Sequence, residues 1–81
     1  MTYADFYRWA LTHPGERVRV VYRGKREPGT IGSPRDGYVR VRLAKTSARH
    51  GHLWTTVHET TCDSVEVLVG ARYRPLAEVL R

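Results

Sequence analysis

The sequence predicts a mainly β fold, in which five short strands curl into a small barrel that follows an N-terminal α-helix and precedes a short C-terminal helix. Three observations favour this fold. The chain has 81 residues, enough for a single domain over residues 1–81. Hydrophobic residues make up 41% of it and charged residues 27%, as in an ordinary globular protein. From residue 17 onward, apolar and polar residues alternate between turn-forming segments, which is typical of short strands.

An α-helix is predicted over residues 2–12. Thr2 is a suitable N-cap residue, and Asp5 follows three positions later, where an acidic side chain completes a capping box. The apolar face of this helix consists of Phe6, Trp9 and Ala10, at the spacing i, i+3, i+4. We expect the helix to cover an open end of the barrel. Its further aromatic residues leave open the alternative that it forms a homodimer interface.

The first and third predicted strands carry the clearest alternation. In residues 17–23 one side carries Val18, Val20 and Tyr22 and the other carries the arginines. In residues 38–44 two valines and a leucine point inward, and Tyr38, Arg40 and Arg42 point outward. The other strands are predicted at residues 30–33, 53–60 and 65–69.

Turns and loops are predicted between these strands. Residues 24–29 form a turn, Asp36–Gly37 a tight hairpin turn and residues 44–51 a polar loop. Pro75 opens a short helix over residues 75–80. Five short strands in so small a chain close most economically into a barrel over residues 15–69, which removes exposed edges.

Four segments carry a resemblance to a known class of domain. They are Gly15–Val20, Gly29–Gly32, Tyr38–Leu43 and Ser64–Leu68. In this order they resemble an SH3-like small β-barrel of the Tudor or KOW type, over residues 15–69. The resemblance implies a binding module for nucleic acid or protein, and no enzyme.

Positive charge is concentrated in one part of the chain. The formal net charge is +6, and twelve of the fourteen basic residues are arginine. Residues 15–50 carry a net charge of +7, whereas residues 51–71 carry −3. Such an asymmetry predicts a positive side that attracts phosphate or an acidic protein. The alternative is that these arginines are ordinary solvated surface residues.

The candidate binding residues lie in two groups. The first is an outward row on the first and third strands: Arg17, Arg19, Arg23, Tyr38, Arg40 and Arg42. Arginine binds phosphate through two donors and stacks on bases, and tyrosine offers a stacking surface. The second group is the polar loop, with Lys45 and Arg49, which either closes on a phosphate or is a passive connection.

These features predict a small basic binding module that binds nucleic acid, DNA or RNA, with little sequence preference. About five phosphate contacts would make the affinity fall as roughly the fourth or fifth power of the salt concentration. The alternative is a protein-interaction module, for example a phage or mobile-element accessory protein that binds an acidic host factor. The longest apolar run has three residues, so we expect no membrane span, and we expect a cytoplasmic protein.

No catalytic residues, metal ligands or cofactors are predicted. His50 and His52 alternate as strand ligands do, but no third ligand is nearby. Cys62 stands near His58 but among acidic residues, which raise a thiol pKa, so we expect a buried structural thiol.

Overall fold

The computed structural model describes residues 1–49 and 51–80, which form one six-stranded antiparallel sheet and its helices. In chain order the elements are α1 (Tyr3–Thr12), β1 (Arg17–Tyr22), β2 (Lys25–Ile31), β3 (Val39–Ser47), β4 (Gly51–Val57), a 3₁₀ helix (Cys62–Ser64), β5 (Glu66–Val69), β6 (Arg72–Pro75) and α2 (Leu76–Val79). Across the sheet the strand order is β4-β3-β2-β1-β5-β6. The mainly β class and both helices are confirmed. The sheet is not closed, so the five-stranded barrel is not confirmed.

The N-terminal helix begins as its sequence predicts. The Thr2 hydroxyl accepts a hydrogen bond from the Asp5 backbone N–H at 3.2 Å, and the Asp5 carboxylate accepts one from the Thr2 N–H at 3.4 Å. This capping box satisfies two N–H groups that the helix itself leaves unpaired. Phe6, Trp9 and Ala10 are buried in the core. One face of α1 therefore covers the sheet.

The turn predicted over residues 24–29 is wrong beyond Gly24, and the strand predicted over residues 30–33 begins earlier, at Lys25, and ends at Ile31. Arg23 and Gly24 have φ values of 52° and 78°, which are the values of a tight two-residue turn. Tyr22 therefore pairs directly with Lys25, and β2 runs from Lys25 to Ile31 along the whole of β1. The charged start of β2 has no apolar pattern of its own, and its pairing with β1 determines its conformation.

The polar loop predicted over residues 44–51 is mostly strand. β3 continues to Ser47, and β4 begins at Gly51 and pairs with it. The register of this hairpin shifts between Arg42 and Thr46, which marks a β-bulge. The bulge absorbs extra residues of β3 and lets both strands continue to the turn.

A sixth strand was not predicted. Gly70, at φ 63°, and Ala71 reverse the chain after β5, and Val69 then pairs with Arg72. β6 is the edge strand of the sheet, next to β5. It leads directly into α2, and the N–H of Leu76 in α2 donates to the carbonyl of Val65 at 2.9 Å. The short C-terminal helix predicted from Pro75 is present.

The core lies between one face of the sheet and the helices. Its fully buried members include Phe6 from α1, Leu76 from α2 and alternate residues of the strands, among them Val18, Val41 and Leu43. The opposite side of the sheet is called the outer face. It carries Arg17, Arg19, Arg26, Thr30, Arg40, Arg42, His52, Trp54, Thr56, Glu66 and Tyr73. Within the described part of the chain, no helix is both long and apolar enough to cross a membrane.

Candidate nucleic-acid interface

Strand register brings two of the predicted arginines into one row. Arg17 on β1 is opposite Thr30 on β2, and Thr30 is opposite Arg42 on β3. Residues opposite each other in an antiparallel sheet lie on the same face. Arg17 and Arg42 therefore lie two strands apart on the outer face, at a backbone separation of roughly 10 Å.

A shallow groove connects these two arginines. It has a volume of about 400 Å³, and its lining includes Arg17, Arg42, His52 and Tyr73. Among the described residues, no carboxylate forms an ion pair with Arg17 or Arg42. Both guanidinium groups thus keep their donors available for an anion.

Arg40 lies next to an exposed tryptophan. Its guanidinium carbon is 5.8 Å from the centroid of the Trp54 ring, a cation–π distance. Trp54 is 50% exposed, and it is opposite Arg42 in the register of β3 and β4. Tyr38, which is 58% exposed, lines a second groove with Arg40 and His58. Two cationic and two aromatic side chains thus occupy neighbouring positions.

Arg19 lies on the outer face but is held by a carboxylate. Its Nε donates to Glu66 Oε1 at 2.8 Å, and its guanidinium lies 4.6 Å from the Tyr73 ring centroid. Arg26 donates to the same oxygen at 2.8 Å. The hydrogen bond from Arg19 is the main reason that the pKa of Glu66 lies below its ordinary value of 4.5. Two arginines therefore share one carboxylate, and Arg19 contributes less free charge than the sequence predicts.

The other predicted residues lie away from this row. Arg23 is in the turn between β1 and β2, so it is not part of an outward strand row. Lys45 donates to Glu27 at 3.1 Å. By the register of β2 with β3, both side chains lie on the face of the sheet opposite the outer face, at the end of the strands that extends past the core. Arg49 lies in the turn after β3, where its N–H donates to the Ser47 hydroxyl at 3.3 Å.

Cys62 is buried, as its sequence context predicts. The residue is 1% exposed, and its thiol donates to the Glu59 carbonyl at 3.4 Å. Burial is the main cause of a raised thiol pKa, and the charge of Asp63 adds to it. His52 lines the outer groove. His50, the other histidine of the weak metal-ligand pattern, lies outside the described residues.

Sequence reasoning missed two aromatic residues of this surface. The sequence predicts a strand that contains Trp54 but does not predict which face the ring occupies; Trp54 lies three positions before the buried Val57, so the two side chains point to opposite faces and Trp54 points outward. Tyr73 belongs to the strand that was not predicted. With them the outer face combines arginines and aromatic rings, which is the composition of surfaces that bind nucleic-acid strands.

Comparisons with known proteins give no further assignment. A scan against protein-family models and searches of curated proteins and of solved structures found no significant match.

Proposed function

We propose that this protein binds nucleic acid through the outer face of its sheet, with little sequence preference. One observation carries the proposal: Arg17 and Arg42 lie in one row on the outer face, without a carboxylate partner among residues 1–49 and 51–80. An arginine fork binds two phosphate oxygens at once. Arg40, on the same face of β3, adds a third such group.

The low sequence preference follows from the kind of contact. Phosphates are the same in every nucleotide, so arginines that bind them fix the position of a strand without reading its bases. Exposed aromatic rings can stack on any of the bases, because every base has a π face. Affinity should therefore depend on salt much more than on base composition.

We also propose that the domain is related to the SH3-like small barrels. One of the four segments that carry the resemblance, Gly29–Gly32, begins in β2, where β2 approaches β3 closely. A Cβ atom at Gly29 would lie 2.6 Å from the carbonyl oxygen of Arg42 and 2.7 Å from Cγ1 of Val41. The glycine is therefore required for the pairing on which the arginine row depends.

A direct titration tests the proposed function. Fluorescein-labelled DNA and RNA oligonucleotides are titrated with the purified protein at low and moderate salt, and anisotropy is measured. We expect binding at low salt that weakens strongly as salt rises. Labelled poly-glutamate is titrated in parallel. Binding of poly-glutamate but no nucleic acid at low salt would contradict the proposal and favour an acidic protein partner.

A further inference from the structure

Trp54 is placed as an open platform on the outer face. A Cβ atom at Gly32 would lie 3.1 Å from Cζ3 and 3.8 Å from Cη2 of Trp54, so the indole extends across β3 and lies against Gly32, the residue that follows β2. Gly32 leaves room for it there. The ring thus contacts the sheet at Gly32 and lies beneath the Arg40 guanidinium, yet half of the residue stays exposed, although a tryptophan gains stability from full burial.

Cationic groups flank this platform. The Arg40 guanidinium is 5.8 Å from the ring centroid, and Arg42 is directly opposite Trp54 across the β3–β4 pairing. A base stacked on the indole would therefore have guanidinium groups next to it that can hold its phosphates. Aromatic rings interleaved with arginines are the arrangement by which proteins bind unpaired nucleotides.

The arrangement continues across the sheet. From Trp54 on β4 the row passes through Arg42, Thr30 and Arg17 towards Tyr73 on β6. It crosses all six strands, and five spacings between neighbouring strands correspond to roughly 24 Å. An aromatic ring stands at each end, and between them lie two arginines that form no ion pair with any described residue. This length accommodates several nucleotides.

We propose that the outer face prefers single-stranded over double-stranded nucleic acid, with one base stacked on Trp54 and the backbone held by Arg42 and Arg17. The inference rests on the proposed function and adds the class of strand to it. In a duplex the faces of internal bases are covered by their neighbours, so only a strand with unpaired bases can use the indole. A duplex would contact the arginines alone.

The test compares single and double strands on the same protein. An oligonucleotide of about 12 nucleotides, a length within the usual site sizes, and its duplex are each titrated at the same salt concentration. We expect the single strand to bind at least about fivefold more tightly, since stacking of one base contributes about 1–3 kcal/mol. We also expect it to quench the fluorescence of the exposed Trp54, whereas Trp9, which is 8% exposed, stays unaffected.

Variants separate stacking from phosphate binding. Trp54→Ala should lose about five- to 150-fold in affinity for the single strand and little for the duplex, whereas Trp54→Phe should keep most of the affinity. The control is Tyr22→Ala, which removes an aromatic ring that also lies near two cations, Arg23 and Lys45, but away from the outer face. Circular dichroism at the assay temperature verifies that each variant is folded.

The outcomes distinguish the two proposals. If the duplex binds as tightly as the single strand, or Trp54→Ala changes neither affinity, the preference for single strands is wrong while nucleic-acid binding stands. The quenching experiment uses the wild-type protein, so it remains decisive if Trp54→Ala fails to fold. If neither form of nucleic acid binds at low salt, the proposed function is itself wrong, and this inference with it.

Discussion

Arg17 and Arg42 are the residues on which the proposed function depends most directly. We expect Arg17→Ala and Arg42→Ala each to weaken nucleic-acid binding about five- to tenfold, because each removes a charge-assisted phosphate contact. The matched control is Arg74→Ala, which removes the same charge from an exposed position opposite the buried Val67. Anisotropy titrations at one salt concentration measure the three variants.

The control decides whether position or charge matters. If Arg74→Ala weakens binding as much as Arg42→Ala, only the net charge of +6 counts and no particular face binds the strand. A loss confined to Arg17 and Arg42 supports a defined surface.

Glu66 limits the charge of the outer face, because its carboxylate pairs with both Arg19 and Arg26. We expect Glu66→Gln to remove the negative charge that neutralises both guanidinium groups and to strengthen nucleic-acid binding severalfold at low salt. The same change turns two ion pairs into hydrogen bonds to a neutral amide oxygen, so it should cost about 1–2 kcal/mol of stability. Thermal unfolding and anisotropy titration measure the two effects. A variant that binds more weakly than wild type would contradict this expectation.

The stability that Glu66 contributes depends on pH. Its pKa in the folded protein is below the ordinary value of 4.5, so the folded state favours the ionised carboxylate. This contribution is complete above pH 4.5 and is lost as the pH falls through the lowered folded-state pKa. The Tm difference between wild type and Glu66→Gln should therefore shrink below about pH 4.5. A difference that stays constant down to pH 2 would show that the ion pairs contribute nothing.

At the scale of elements, the turn between β1 and β2 sets the register of the arginine row. Arg23 adopts φ 52°, a left-handed conformation that costs a residue with a side chain about 1 kcal/mol. Asn-Gly is the preferred pair for such a turn. We therefore expect Arg23→Asn to raise Tm by roughly 4–8 °C, as measured by circular dichroism. Its nucleic-acid affinity should fall no further than that of Arg74→Ala.

Three of the hairpin turns, those whose residues the structure describes completely, differ in how clearly the sequence indicates them. Asp36–Gly37 is a known turn pair, and both residues have positive φ as expected. Arg23–Gly24 has an arginine in a position that usually holds asparagine, aspartate or glycine, so the strand after it was predicted five residues late. In Gly70–Ala71 only the glycine favours a turn, because alanine is not a typical turn residue. The sequence predicts a turn when both residues favour it, and tertiary pairing decides the others.

Strand ends show the same limit. β3 and β4 extend through residues that look like a polar loop, because pairing in a hairpin supplies backbone hydrogen bonds whatever the side chains are. Lys45 consequently belongs to a strand, where it pairs with Glu27. Hydrophobic alternation predicts only those strand residues that contact the core, and it predicts them well for β1 and β3.

At the scale of the whole molecule, the distribution of charge determines how binding responds to salt. Of the five arginines in the predicted row, three remain on the outer face without a carboxylate partner among the described residues: Arg17, Arg40 and Arg42. Three phosphate contacts predict a slope of log affinity against log salt of about −2 for single strands and about −3 for duplexes. Titrations at several salt concentrations measure it. A slope of −5 would mean that Arg19 and Arg23 also bind phosphate.

The candidate surface was predictable in part. Alternation along β1 and β3 indicates that their arginines share a face with each other, and the sheet register bears this out for Arg17 and Arg42. The pairing of Arg19 with Glu66 is not predictable from the sequence, because the two residues are 47 positions apart and come together only through the pairing of β1 with β5. Trp54 lies opposite Arg42 because the register of the β3–β4 hairpin shifts between Arg42 and Thr46. Local patterns cannot specify which strands become neighbours.

The open sheet has a consequence for how a long polymer would reach this surface. A strand lying along the row from Trp54 to Tyr73 would leave the protein at both sheet edges, β4 and β6. Such a nucleic-acid strand can bind to the surface at any point along its length, and neither of its ends has to pass through an opening. Circular and linear molecules of one sequence would then be equivalent ligands, and several copies of the protein would fit side by side along one continuous chain.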